Sequence, residues 1–261
     1  MNRYQPMFDR AAAEGRCAFG AFVMLGDPDL ETSAAILGAL VRSGVDMLEV
    51  GIPFSDPVAD GPVIQAAATR ALRKGVRPGD CLDLLGTFRE SHPDVPVGIL
   101  TYANILSARG RTDFYRRCAV AGVDSVLVAD VPAAEAEPYA ADAREQGIAP
   151  VLIAAPNTPD RTLEKIARLS EGYTYCVART GVTGARESLT LSHRDLFKRL
   201  GEFGAPPPVL GFGISKPEHV RAARHEGAAG VICGSALVAH IEASGQNPAG
   251  ATAEFVGMML K

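Results

Sequence analysis

The sequence predicts an α/β protein, a single-domain (β/α)8 barrel of the TIM type with an extra N-terminal helix, and three observations predict it. Apolar runs of strand length alternate with longer stretches of helical period eight times along 261 residues. Strict alternation of this kind demands a parallel sheet with right-handed crossovers. Several of the strand runs are almost continuously apolar, as strands covered by helices are. Eight units in about 250 residues favour a closed barrel over an open, doubly wound sheet.

The elements follow in order. Tyr4–Glu14 is amphipathic and supplies the extra helix. Ala18–Leu25 is the first strand, and Asp29 stands where it can cap the helix Glu31–Arg42. Gly44 ends that helix before the strand Asp46–Gly51. Two helices, Pro62–Lys74 and Pro78–Ser91, open on proline, and Gly75 separates them. The strand Val95–Tyr102 leads to the helix Thr112–Ala121, ended by Gly122. The strand Ser125–Val128 leads to Ala134–Gln146, ended by Gly147. Then come the strand Ala149–Ala154 and the helix Pro159–Ser170, the strand Tyr173–Val177 and the helix Ser192–Gly204. The last units are Pro208–Phe212 with Pro217–Glu226, ended by Gly227, and Gly230–Cys233 with a terminal helix near Gly250–Met259.

Hydrophobic residues make up 47% and charged residues 21%, a globular composition. A net charge of −4 gives no general attraction to nucleic acid or to an anionic membrane. The five cysteines form no Cys-x-x-Cys pair, and no Cys/His cluster has metal-ligand spacing, so no metal is expected. Cys17, Cys176 and Cys233 sit in apolar runs and read as reduced core residues. No signal peptide or membrane-length apolar run is visible, which makes a cytoplasmic location the simplest expectation.

Barrel enzymes place their chemistry at the C-terminal ends of the strands. In the second strand, alternation puts Met47 and Glu49 on one face and Leu48 and Val50 on the other. Glu49 is then a carboxylate in a mostly apolar strand facing the barrel mouth. It reads as a general acid/base with a pKa raised by burial, or as a buried partner of some base. The loop Ile52 to Pro62 carries Asp56 and Asp60 among three prolines. Asp60 alone reads best as a helix cap; beside Glu49, the two look like carboxylates converging on one substrate. The seventh and eighth strands end in Gly211-Phe212-Gly213-Ile214-Ser215 and Cys233-Gly234-Ser235-Ala236. Glycines there let backbone N–H groups approach a phosphate. The glycine-rich loop after Val177 has the composition of a lid. None of the five histidines stands where a base is needed, and no lysine emerges within the barrel for Schiff-base chemistry.

Seven blocks in order make the sequence resemble the tryptophan synthase alpha chain family: Leu25 to Pro28, Glu49 to Pro62, Tyr102 to Asn104, Ala129 to Pro132, Gly181 to Gly184, Gly211 to Ser215 and Gly234 to Ala236. The resemblance implies cleavage of indole-3-glycerol phosphate to indole and glyceraldehyde 3-phosphate. It implies that Glu49 shuttles a proton to the indole C3, that Asp60 takes or stabilises the indole N–H proton, and that Tyr175 positions substrate. Phe22, Leu100 and Phe212 would line the indole pocket; Thr183, Gly184, Gly213, Gly234 and Ser235 would hold the phosphate. The partner implied is a beta chain in an α2β2 complex, carrying the pyridoxal phosphate, which this chain does not bind. The docking face would be Pro53, Asp56, Pro57, Asn104, Asp130 and Pro132. Three positions depart from the family habit: Ala178, Met24 and Thr101. The rivals are a stand-alone indole-releasing lyase, a sugar-phosphate isomerase on the same scaffold, and a silent subunit that only activates a partner.

Overall fold

The structure, a computed structural model, describes residues 3–177, 193–211, 213–245 and 247–261. Its strands are β1 (Ala18–Met24), β2 (Met47–Gly51), β3 (Val97–Thr101), β4 (Ser125–Val128), β5 (Ala149–Val151), β6 (Ile153–Ala154), β7 (Thr174–Val177), β8 (Pro208–Gly211) and β9 (Gly230–Cys233). All pair in parallel in the order β5-β4-β3-β2-β1-β9-β8-β7-β6. The two ends of that order, β5 and β6, are separated by the single residue Leu152. They are the two halves of the one expected strand Ala149–Ala154: the first pairs with β4 and the second with β7. The eight expected strands are therefore present, and the ring closes through Leu152, whose carbonyl accepts the Tyr175 N–H at 3.0 Å.

The helices are α1 (Tyr4–Ala13), α2 (Leu30–Arg42), α3 (Pro62–Arg73), α4 (Pro78–Ser91), α5 (Ala103–Ser107), α6 (Arg111–Val120), α7 (Glu137–Glu145), α8 (Asp160–Leu169), α9 (Arg194–Glu202), α10 (Pro217–Glu226), α11 (Ser235–Ala243) and α12 (Pro248–Met259). Asp29 caps α2 by accepting the Thr32 N–H at 2.8 Å. Gly44, Gly75, Gly122, Gly147 and Gly227 all adopt positive φ behind their helices, the conformation that ends a helix. Two elements go beyond the sequence reading. Helix α5 is one turn long, too short to show a period, and α11 is apolar almost throughout, so it shows no amphipathic stripe. Pro159 stands just outside α8 rather than within its first turn, and β3 starts at Val97 because Pro96 has no N–H to donate.

Alternation divides the core in two. Leu48, Val50, Ile99, Val126 and Val231 point outward under the helices. Phe22, Met24, Met47, Leu127, Tyr175 and Ile232 point into the barrel. Helix α1 closes the N-terminal end, adding Tyr4, Met7 and Phe8 to the interior cluster. Two carboxylates pin that floor. Asp46 accepts the Phe19 N–H at 2.8 Å and a guanidinium fork from Arg16. Asp124 accepts the Val97 N–H at 2.8 Å together with Arg89 and Arg3. The C-terminal end is left for ligand.

Candidate active site

Glu49 lies in β2 between Phe22 of β1 and Gly98 of β3. Its face is the interior one, as alternation requires, and it is 1% exposed. The Tyr173 hydroxyl donates to Oε1 at 2.9 Å, while Oε2 is buried with no hydrogen-bond partner. Gly98 makes this arrangement possible: a Cβ there would meet Ser125 Oγ at 2.7 Å and Tyr4 Oη at 3.1 Å. Those two hydroxyls share a 2.7 Å hydrogen bond, and the Tyr4 ring packs edge-on to Tyr173 at 5.2 Å. The anchor of Glu49 is thus itself anchored by the floor helix. Burial raises the Glu49 carboxyl to a pKa of about 8, against the lowering effect of the Tyr173 bond and with a further push from Asp60.

Asp60 sits on the loop into α3 and is buried. It is not the helix cap: Gly61 occupies that place, with no side-chain cap bond. Instead the Tyr102 hydroxyl bonds the Asp60 carboxylate, and the same hydroxyl accepts the Ala59 N–H at 3.3 Å. The Gln65 amide holds the Asp60 carbonyl at 2.7 Å. Burial lifts Asp60 to a pKa of about 6, with the Tyr102 bond working against it. Burial thus raises both carboxyls, Glu49 further than Asp60.

Both line one cavity at the C-terminal end of the barrel. Phe22, Leu100, Tyr175, Gly213, Gly234 and Ser235 line it as well. Eight of the residues singled out in the sequence are thereby brought together. Its apolar lining comes from Phe22, Leu100, Ile64 and Ile232, and Gly213 to Ser215 and the first residues of α11 line it too. Phe22 packs beside Gly234, where an added Cβ would meet the Phe22 Cβ at 3.3 Å. Gly213 has φ +82°, a conformation glycine favours. Helix α11 follows Gly234, which gives it no side-chain cap, and the positive end of the helix therefore faces the cavity at Gly234 and Ser235. Phe212, Thr183 and Gly184, the lid loop and Ala178 lie outside the described residues.

Of the proposed docking residues, Asp56, Asn104, Asp130 and Pro132 are exposed and Pro57 half-buried, whereas Pro53 is buried within the chain. Asp130 ties two of these loops together by accepting the Ala103 N–H at 2.8 Å. Met24 is buried on the interior wall, and Thr101 is fully buried with no partner for its hydroxyl. Sequence reasoning missed the two tyrosines that hold the carboxylates. Tyr173 was findable, since it lies two residues before Tyr175 on the same face. Tyr102 stood at the head of a family block, but nothing local tied it to Asp60. Also not singled out as lining residues were Ala59, Ile64, Ala129, Ile214, Ser215, Ile232 and Ala236.

All five cysteines are free and buried. Among the described residues no group of three His, Cys, Asp or Glu side chains is placed to hold a metal, and no helix is long and apolar enough to cross a membrane.

Residues 8–259 match the family model described as tryptophan synthase alpha chain. A tryptophan synthase alpha chain from Vibrio cholerae serotype O1 is 50% identical over 249 residues, covering 95% of this chain and 93% of that protein. Among solved structures, Mycobacterium tuberculosis tryptophan synthase has a TM-score of 0.88 at 31% identity, covering 99% of this chain and 96% of that one. A chain of the tryptophan synthase a2b2 complex from Pyrococcus furiosus has a TM-score of 0.86 at 35% identity, covering 94% and 98%.

Proposed function

The chain belongs to the tryptophan synthase alpha chain family, and from that premise we propose how its own residues carry out the family's reaction, the retro-aldol cleavage of indole-3-glycerol phosphate. The observation that carries the reading is a pair of buried carboxyls, Glu49 and Asp60, on one largely apolar cavity that the glycine-bearing loops after β8 and β9 also line.

The indole ring lies between Phe22, Leu100 and Ile232, where apolar surface excludes water. The phosphate lies against Gly213, Gly234 and Ser235, where backbone N–H groups and the start of α11 favour a dianion. Protonated Glu49 gives its proton to C3 of the indole, and the resulting positive charge falls on the ring nitrogen. The Asp60 carboxylate accepts the N–H hydrogen bond and stabilises that charge. Glu49, now ionised, takes the proton from the hydroxyl on the carbon attached to C3. The carbon–carbon bond breaks, its electron pair restores the indole, and the oxygen becomes the aldehyde of glyceraldehyde 3-phosphate. One proton enters and one leaves, so Glu49 ends as it began. Tyr175 lines the same cavity and positions the substrate between the carboxyls.

Glu49→Gln and Asp60→Asn should each lower kcat about 10²–10⁴-fold in folded protein, the usual worth of a general acid/base. The assay is indole release from indole-3-glycerol phosphate by the pure chain. Near-normal release by folded Glu49→Gln protein would overturn the role of Glu49.

The Pyrococcus furiosus relative is described as part of a mutually activating a2b2 complex. We place this chain in the same arrangement, with a beta chain bearing the pyridoxal phosphate and in a cytoplasmic setting. Asp56, Pro57, Asn104, Asp130 and Pro132 present the docking face, and Val58 adds an apolar side chain that is 72% exposed. Buried Pro53 instead stiffens the loop from within.

A further inference from the structure

We propose that His219 is a positioning residue for the substrate phosphate, acting through the Ile214–Ser215 peptide; this rests on the phosphate reading above and deepens it. Helix α10 begins with Pro217, which has no N–H, after Lys216, whose side chain makes no cap bond. His219, in the first turn, folds back over the helix start. Its Nδ1 accepts the Ser215 N–H at 3.2 Å and lies 3.4 Å from Ser215 Oγ. The ring is 7% exposed, so this bond is sheltered from water. A neutral imidazole has one acceptor nitrogen, so taking the Ser215 N–H places the ring proton on Nε2.

The carbonyl of the same peptide is held from the opposite side: the Cys233 thiol donates to the Ile214 oxygen at 3.0 Å. Both ends of one peptide plane are thus fixed, one from α10 and one from β9. The preceding residue is Gly213, whose φ of +82° would let an unrestrained loop turn freely. Gly213, Ile214 and Ser215 all line the cavity beside Gly234 and Ser235. Locking the peptide therefore sets which way the loop's donors face. Preorganised donors bind an anion without first spending binding energy on ordering the loop. A first-turn side chain bonding back to a backbone N–H is also ordinary helix capping. Capping alone would alter stability and leave ligand recognition unchanged, and the two are separable.

The experiment compares His219→Leu, His219→Gln and His219→Asn with the parent chain. Asn places an amide oxygen where Nδ1 stands; Gln places it one bond further out, beyond reach of Ser215, while keeping a polar side chain if Leu fails to fold. Leu and Gln should raise KM for indole-3-glycerol phosphate about tenfold, the scale of one lost buried hydrogen bond, with kcat within about twofold. Inhibition by inorganic phosphate should weaken in parallel, and inhibition by indole should not change. Asn should restore both. Unchanged KM in Leu and Gln, equal loss of indole binding, or no recovery in Asn would each overturn the proposal. Gly234→Val is run beside them. If it weakens phosphate inhibition and the His219 variants do not, only the role of His219 falls. If it too leaves phosphate inhibition intact, the phosphate site itself is misplaced and both readings fall.

Discussion

At the scale of single residues, two carboxyls of similar intrinsic acidity are set about two pH units apart by burial. Glu49 reaches about 8 and Asp60 about 6. If the acid must be protonated and its partner ionised, kcat/KM should rise with pH through about 6 and fall through about 8. Asp60→Asn should abolish the acidic limb in whatever activity remains; an unchanged limb would assign it elsewhere. Stability carries the same signature. A raised folded-state pKa means that the unfolded chain ionises first, so the Glu49 contribution is intact below its unfolded pKa. That contribution is lost progressively as pH rises towards about 8. Glu49→Gln removes this loss. Its melting temperature should exceed that of the parent by a margin that grows between pH 5 and pH 8.5. A constant margin would mean that Glu49 is ionised at little cost.

At the scale of elements, the site depends on how close β3 and β4 let the tyrosines come. Gly98 is the point where that spacing is set, because a methyl group there meets Ser125 Oγ at 2.7 Å. Gly98→Ala should cost about 1–3 kcal/mol of stability by overpacking. It should also lower kcat by disturbing the Tyr173 bond to Glu49. Adding Ser125→Ala removes the closest contact and should recover part of both; urea denaturation and indole release measure the two. No recovery in the pair would place the strain elsewhere. The floor offers a second test. Asp124 binds two guanidinium groups and a strand N–H while nearly fully buried. Asp124→Ala should therefore destabilise by about 3 kcal/mol, since it strands buried donors, and leave the distant cavity able to cleave substrate in the folded fraction.

At the scale of the whole molecule, closure of the ring decides where everything else lies. Loops that follow β2, β3 and β4 become neighbours only because those strands are adjacent in the barrel, and the Asp130–Ala103 bond records that proximity. The exposed residues proposed for docking are contiguous with the loop bearing Asp60. A beta chain seated there should raise indole formation by shifting that loop into its productive geometry. Titrating cognate beta chain into a fixed amount of this chain should give a saturating rise in turnover. Flat turnover, with no complex by sedimentation at micromolar concentration, would favour a stand-alone lyase.

What the sequence determined by itself was local: which runs are strands, where helices start and stop, which face Glu49 takes. Period, caps and glycines are written within a few residues of the effect they cause, so these were legible. The loops after the last two strands were legible as cavity lining too, because glycine-bearing strand ends in a barrel have a fixed place. What only the tertiary structure decided is what each side chain meets. The Tyr173 bond to Glu49 spans 124 positions, and the Tyr102 bond to Asp60 crosses from one strand end to the next loop. That contact, with Gly61 taking the cap position, sets aside the cap reading of Asp60 and leaves the one that pairs it with Glu49. Burial, and with it the separation of the two carboxyl pKa values, belongs to the closed barrel, because desolvation is produced by neighbours that sequence order does not bring together.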